Sequence, residues 1–350
     1  MIDGAVVRGA PLRVAVATLE ETRRLIAVVV DGEGRLEGTI SDGDVRRALL
    51  RGLDLASPVE EVMNPAPIAA GATMRDDELA DFLLSRGVAA APVVDDSGRV
   101  LRIVQARDLE LSAGDGHEAA GFACAVIMAG GEGRRLRPLT ENRPKPMILI
   151  GGVPLLERHV RRMVDCGITR IHVSTNYLGH IIEDFLGDGA AFGATIGYLR
   201  EKTKLGTAGA LSLLEARPEG TVLVINGDVL TSSDYSRLHS FHAEAGAAIT
   251  VGAVSYHVEI PFGVLRIDNH RVAAVEEKPT QRFLCNAGIY AVEPYILNLV
   301  PDGTAFDMTD LIETALARGE RVAAFPIHEY WNDIGTPSDL ERAKRESDKL

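Results

Sequence analysis

Between Cys124 and Met147 the chain sets an apolar run, Cys124-Ala125-Val126-Ile127-Met128-Ala129, ahead of Gly130-Gly131-Glu132-Gly133 and then Arg134-Arg135-Leu136-Arg137-Pro138. Glycines at the end of a buried strand let a ligand approach bare backbone N–H groups, and those donors suit phosphate oxygens. Arg134 and Arg135, with Lys145 held between Pro144 and Pro146, add the positive charge that a triphosphate requires. Two familiar phosphate loops are excluded by spacing. A dinucleotide fingerprint needs G-x-G-x-x-G, whereas Arg134, Arg135 and Leu136 follow Gly133; a P-loop needs Gly-Lys-Ser/Thr, and none closes this turn. Taken by itself the stretch also reads as a glycine turn with solvated arginines.

Other residues suited to chemistry follow at intervals. Asn226-Gly227-Asp228 comes directly after the apolar stretch 222–225, and one carboxylate at a strand end beside phosphates is what Mg²⁺ needs. Leu205-Gly206-Thr207-Ala208-Gly209-Ala210 offers small residues over which a flat base could lie. Glu276-Glu277-Lys278-Pro279 puts a lysine beside two acids, Asn286-Ala287-Gly288 opens an apolar stretch, and Tyr330-Trp331-Asn332-Asp333 supplies a second lone aspartate. Each has a plain alternative: Asp228 as a turn residue, Lys278 in a surface ion pair, Asn286 as a strand-end cap.

The elements that must position these residues alternate. Strand-like runs at 125–128, 170–174, 194–199, 222–225, 248–253 and 287–292 are separated by helical stretches, among them 154–166, where Leu155, Leu156, Val160 and Met163 share a face. Such alternation predicts an α/β domain with a mostly parallel sheet, whose ligands bind beyond the carboxyl ends of the strands. Thr336, Pro337 and Asp339 form an N-cap, a first-turn proline and an acidic first turn for a closing helix.

The whole chain has 350 residues, enough for two domains, and a formal net charge of -13. Residues 1–113 hold 13 arginines and no lysine against 19 acids, and the remainder 24 cations against 31 acids. Neither part is basic, which argues against general nucleic-acid binding and requires any anionic ligand to be gripped by a local cluster. Three scattered cysteines suggest neither a disulfide framework nor a zinc site. No apolar run is long enough to span a bilayer and no leader is evident at the start, so the expected location is the cytoplasm, without a membrane partner.

Residues 1–113 contain a loose repeat. Residues 25–31 lead through a glycine turn to Gly38-Thr39-Ile40-Ser41-Asp42-Gly43-Asp44; later, 91–95 lead through another to Ile103-Val104-Gln105-Ala106-Arg107-Asp108. Each copy reads strand, turn, strand, then a helix opened near an aspartate. Residues 114–121 are small, polar and glycine-rich, an interdomain linker ahead of a second domain at 122–350.

The first region resembles a tandem pair of CBS domains. The first copy carries the family's Gly-x-Ile-Ser-x-x-Asp signature at Gly38, Ile40, Ser41 and Asp44; the second has Gln105 in place of the hydroxyl and keeps Asp108. The resemblance implies that Ser41, Asp44 and Asp108 hold an adenine or guanine nucleotide, against the alternative that Ser41 and Asp44 only cap a helix.

The second region resembles the sugar-nucleotide pyrophosphorylases, nucleotidyltransferases acting on sugar 1-phosphates, with five separated motifs in the family's order. That resemblance implies a Rossmann-like, GT-A-like mixed sheet. Gly130, Gly131, Gly133 and Arg134 would wrap a nucleoside triphosphate, and Arg135 falls on the catalytic arginine. Arg134 stands where a small residue is usual. Lys145 and Lys278 match phosphate-contacting catalytic lysines. Gly206, Thr207 and Gly209 match the base and sugar platform, and Glu277, Asn286 and Gly288 the sugar-phosphate pocket. Asp228 and Asp333 match the ligands of Mg²⁺. The motifs look most like guanylyltransferases for mannose-, heptose- or glucosamine-type 1-phosphates, which implies GTP as donor and a role in cell-surface polysaccharide; uridylyl and thymidylyl transfer stay open. Both families commonly self-associate, so a homo-oligomer is expected. The rival reading is a nucleotide-sensing protein without turnover, which loss of Asp228, Asp333 or Arg135 would favour; all three are present.

Overall fold

A computed structural model describes residues 2–109 and 121–346, and the chain divides into two compact units, Met1–Asp115 and Gly116–Leu350. The expected linker at 114–121 lies, apart from Gly121, outside the described residues.

The first unit is built twice from one plan. In the first copy Ala5–Val7 pairs in parallel with Ile26–Val30, which pairs antiparallel with Leu36–Ser41; Ala70–Gly71, Ala90–Val94 and Val100–Gln105 repeat that order and those directions. Even the register slip recurs, between Val29 and Val30 and between Val93 and Val94. Val28, Val30, Val100 and Ile103 form one buried cluster, so the copies cover apolar surface for each other. Ser41 caps the helix Asp42–Leu50. Its hydroxyl donates to Asp44 Oδ2 at 2.6 Å, and that carboxylate also accepts the Ser41 N–H at 2.8 Å and Arg47 at 2.7 Å. Both signature residues thus satisfy a helix N-terminus in this structure. In the second copy Gln105 is buried, and its carbonyl accepts the Leu25 N–H at 2.9 Å, which ties the copies together. Its Nε2 lies 3.5 Å from Asp108.

The second unit is a seven-stranded mixed sheet. Its strands are β1 (Cys124–Met128), β2 (Arg170–Thr175), β3 (Thr195–Arg200), β4 (Val222–Asn226), β5 (Ile249–Glu259), β6 (Thr280–Val292) and β7 (Val322–Ile327), in the order 3-2-1-4-6-5-7. Neighbours run parallel except at β6, which is antiparallel to both β4 and β5. All of β1 is buried, as a central strand covered on both faces must be, and this is why its sequence is apolar without alternation. The chain leaves β1 toward β2 and β3 on one side and returns to add β4 on the other. Ligand crevices open at such a reversal.

Two features depart from the alternation read in sequence. β7 contains Pro326, which marks a stretch as a poor central strand; it lies at the sheet edge, where proline is tolerated. β5 and β6 run past the sheet into an arm crowned by the hairpin Val264–Asp268 and Arg271–Glu276, exposed along both strands.

The helix Leu155–Asp165 buries the expected Leu155, Leu156, Val160 and Met163, and with them His159. Burial pulls the His159 imidazole down to about 4, opposed by Asp228 and by a bond to the Val229 backbone. A histidine depressed in the fold adds stability above its unfolded value near 6.5 and loses it as pH falls toward 4. In urea titrations between pH 7 and pH 4, His159→Leu is therefore expected to lose about 3 kcal/mol less stability than the parent. Equal losses would mean that His159 is not held neutral.

Candidate active site

At the end of β1 the Ala129 N–H donates to Ser174 Oγ on β2 at 3.1 Å, which fixes where the glycine turn begins. Gly133 has φ +62°, and a Cβ there would lie 2.9 Å from Thr140 Cγ2 and 3.0 Å from Lys145 Cβ. Glycine thus lets the Pro144-Lys145-Pro146 segment fold directly under the turn. Lys145 is buried, and its Nζ lies 2.5 Å from Asp228 Oδ2.

The two aspartates, far apart in sequence, are brought together by a short ribbon. Val229–Thr231 pairs antiparallel with Trp331–Asp333 in a register that sets Val229 opposite Asp333, and the Ile334 N–H donates to the Asp228 carbonyl at 3.0 Å. Burial, and next the Asp228 charge, push the Asp333 carboxyl up, while Lys145 and Arg135 pull it back. Arg135 is within reach because residue 335 is glycine: a Cβ there would stand 3.2 Å from Arg135 Nη2 and 3.4 Å from Asp333 Oδ2. Asp333 Oδ1 is buried without a hydrogen-bond partner among the described residues. A pair of carboxylates, one with an orphaned oxygen, suits a hard oxygen-seeking dication such as Mg²⁺. The residues fit that ion.

Beside this group lies a cavity of about 250 Å³ whose wall includes Gly130, Gly131, Lys145, Gly206, Thr207 and Asp228. Six expected site residues from four separate motifs thus meet on one surface. Thr207 is also structural: its hydroxyl donates to Asp307 Oδ1 at 3.1 Å and accepts the Met308 N–H at 2.9 Å, locking the platform onto the start of the helix Met308–Ala317. Gly209 is buried behind the platform, where a Cβ would meet the Thr304 carbonyl at 2.8 Å, so it does not form the wall.

The remaining expected residues sit further out. Asn286 Oδ1 accepts the Gly288 N–H at 2.9 Å, and Gly288, at φ +71°, lies against Asn226 on the cavity wall. Glu277 and Lys278 are exposed where the hairpin joins the outer end of the arm, off the wall of this cavity, with Lys278 at φ +47°. Arg134 donates to Glu132 at 2.5 Å.

The wall also holds residues that motif reading passed over: Glu132, Ser174, Glu201, Lys204 and Asn226. Glu201 is half-buried, accepts the Leu205 N–H at 2.9 Å and the Ser174 hydroxyl, and has its carboxyl raised first by burial. Its Oε1 would be 2.6 Å from a Cβ on residue 130, so the bare Gly130 is what admits it to the crevice. A signal for it existed, since Glu201 directly follows the carboxyl end of β3.

Comparison with known proteins bears on the family and the fold. The family model described as nucleotidyl transferase matches residues 124–349, and the CBS domain model matches 5–51 and 59–110. A mannose-1-phosphate guanylyltransferase of Mycobacterium tuberculosis is 34% identical over 226 residues, which cover 62% of each chain. The chain thus spans less than two thirds of that curated relative's length. An N-acetylmuramate alpha-1-phosphate uridylyltransferase of Neisseria meningitidis serogroup B is 32% identical over 63% of this chain and 96% of its own. A Bacillus anthracis structure named for a glucose-1-phosphate thymidylyltransferase superposes with a TM-score of 0.54 at 28% identity, over 65% of this chain and 96% of that one.

Proposed function

Because the chain belongs to the nucleotidyl transferase family, we propose that it transfers a nucleotidyl group from a nucleoside triphosphate, GTP, to a sugar 1-phosphate. The observation that carries this reading is the meeting of Lys145, Arg135, Asp228 and Asp333 beside a glycine-walled cavity. An oxygen of the sugar phosphate attacks the α-phosphorus, the bond to the bridging α–β oxygen breaks, and pyrophosphate leaves with that electron pair. The nucleophile is already an anion, so no general base is needed, and the chain's work is orientation and charge neutralisation.

Arg135 faces the leaving phosphates, and Lys145 exchanges Asp228 for a phosphate oxygen when substrate arrives. Lys278, carried by the exposed arm, orients the attacking phosphate. Mg²⁺ held by Asp228 and Asp333 would supply further neutralisation of phosphate charge. Release of pyrophosphate from each of GTP, UTP, dTTP, CTP and ATP, against a panel of sugar 1-phosphates, tests the reading. No release from any pair would reject it.

Glu201 supports GTP as the donor. An ionised carboxylate is an acceptor only, and guanine presents N1–H and its 2-amino group side by side as donors. Uracil and thymine present one N–H between two carbonyls, which a carboxylate repels. Glu201→Gln is therefore expected to lower kcat/KM for GTP by about a hundredfold while UTP changes by less than about threefold. Equal losses for both nucleotides would show that Glu201 does not read the base.

The CBS pair is assigned an adenine or guanine nucleotide and a regulatory effect on the transferase. Calorimetry on the full chain with AMP, ATP, GMP and GTP, beside turnover in their presence, tests that role. We further assign the chain to the cytoplasm as a homo-oligomer supplying an activated sugar for surface polysaccharide. Among the described residues no helix is long and apolar enough to cross a membrane.

A further inference from the structure

Glu132 places a negative charge inside the loop that should receive a polyanion. It stands between Gly131 and Gly133, on the wall of the cavity, with its side chain 18% exposed. Arg134 Nε lies 2.5 Å from Oε2, and Lys204 Nζ binds Oε1. The two cations hold the Glu132 carboxyl down at about 2, so it is ionised throughout the physiological range. Lys204 comes from the segment between Glu201 and Leu205 and lines the same cavity, so the Glu132–Lys204 pair bridges the glycine turn to the segment that carries Glu201. A surface ion pair of this kind contributes little to stability. Its position across a nucleotide cavity gives it another consequence. Phosphate oxygens bind guanidinium and ammonium groups through strong charge-assisted bonds, and a triphosphate offers more of them than one carboxylate does.

We propose that Glu132 is the empty site's counter-ion: it holds Arg134 and Lys204 until the triphosphate takes them over, and recaptures them as pyrophosphate leaves. Lys204 is thereby a polyphosphate-binding residue, and Glu132 a positioning residue for the two cations. This rests on the reading that a nucleoside triphosphate occupies the cavity. The exchange makes binding weaker and release faster than two unopposed cations would.

The test uses the full chain with Mg²⁺ and each of GTP, UTP, dTTP, CTP and ATP in calorimetry without sugar phosphate, and steady-state turnover alongside. Glu132→Gln is expected to bind GTP about tenfold more tightly and to show a lower kcat together with a lower KM, because release becomes slow. Lys204→Met, altering a side chain 57% exposed, is expected to bind GTP about tenfold more weakly with an unchanged melting temperature. A parent protein that binds none of the five nucleotides defeats the nucleotide reading itself. A parent that binds GTP, with Lys204→Met binding equally well or Glu132→Gln binding no more tightly, overturns the exchange alone.

Discussion

Replacement of Asp228 by alanine is expected to lower turnover by about a thousandfold, or about 4 kcal/mol of transition-state stabilisation. Asp228 has two roles in this geometry. It neutralises Lys145 across 2.5 Å, and with Asp333 it forms the carboxylate pair suited to Mg²⁺. On the proposed function, alanine would leave Asp333 as a single ligand for the dication. The loss should fall on kcat in pyrophosphate-release assays at saturating GTP and sugar 1-phosphate. Asp228→Asn should behave similarly, because an amide keeps the shape and lacks the charge. Stability without Mg²⁺ should also fall, because alanine strips the buried Lys145 ammonium of its partner, a cost that outweighs relief of the Asp228 charge beside Asp333. A variant that turns over within tenfold of the parent would remove Asp228 from the mechanism.

Arg135→Lys is expected to cost about a hundredfold in kcat, and Arg135→Met about a thousandfold. Arg135 is exposed, yet its guanidinium reaches Gly335 and Asp333, so it stands at the carboxylate pair without being part of the core. A planar fork can bind two oxygens of a departing pyrophosphate at once, and an ammonium on a flexible stem cannot reproduce that geometry. Exposure predicts normal folding, so far- and near-ultraviolet circular dichroism should match the parent. The effect should also appear in the reverse reaction, pyrophosphate with NDP-sugar, because both directions share one transition state. Lysine restoring full activity in both directions would reduce Arg135 to a general positive charge.

The parts of this protein that follow local rules are legible in its amino-acid sequence. β1 announces itself because a strand buried on both faces must be continuously apolar, and the closing helix because Thr336, Pro337 and Asp339 are cap residues in cap order. Asp228 and Asp333 can each be named from their motifs, but their meeting depends on the register that sets Val229 opposite Asp333, a long-range pairing with no local signature. Glu201 and Lys204 escape motif reading for another reason. Neither belongs to a glycine motif, and a charged residue after a strand usually reads as solvated surface; only the fold turns that segment toward Gly130. Ser41 and Asp44 show the converse limit. Their spacing suits a ligand and a helix cap alike, and the bonds they make here are those of a cap. The arm is hard to read because its residues are exposed, so burial does not impose a clear alternation on them.

We propose that Asp228 and Asp333 share one divalent ion beside a loop that grips a triphosphate. Electron–nuclear double resonance on Mn²⁺ bound to the full chain with GTP addresses it directly. One tightly bound Mn²⁺ per chain is expected, with ³¹P couplings from the nucleotide, and that signal should be lost in both Asp228→Ala and Asp333→Ala. An Mn²⁺–nucleotide signal of parental strength in both variants would contradict the account.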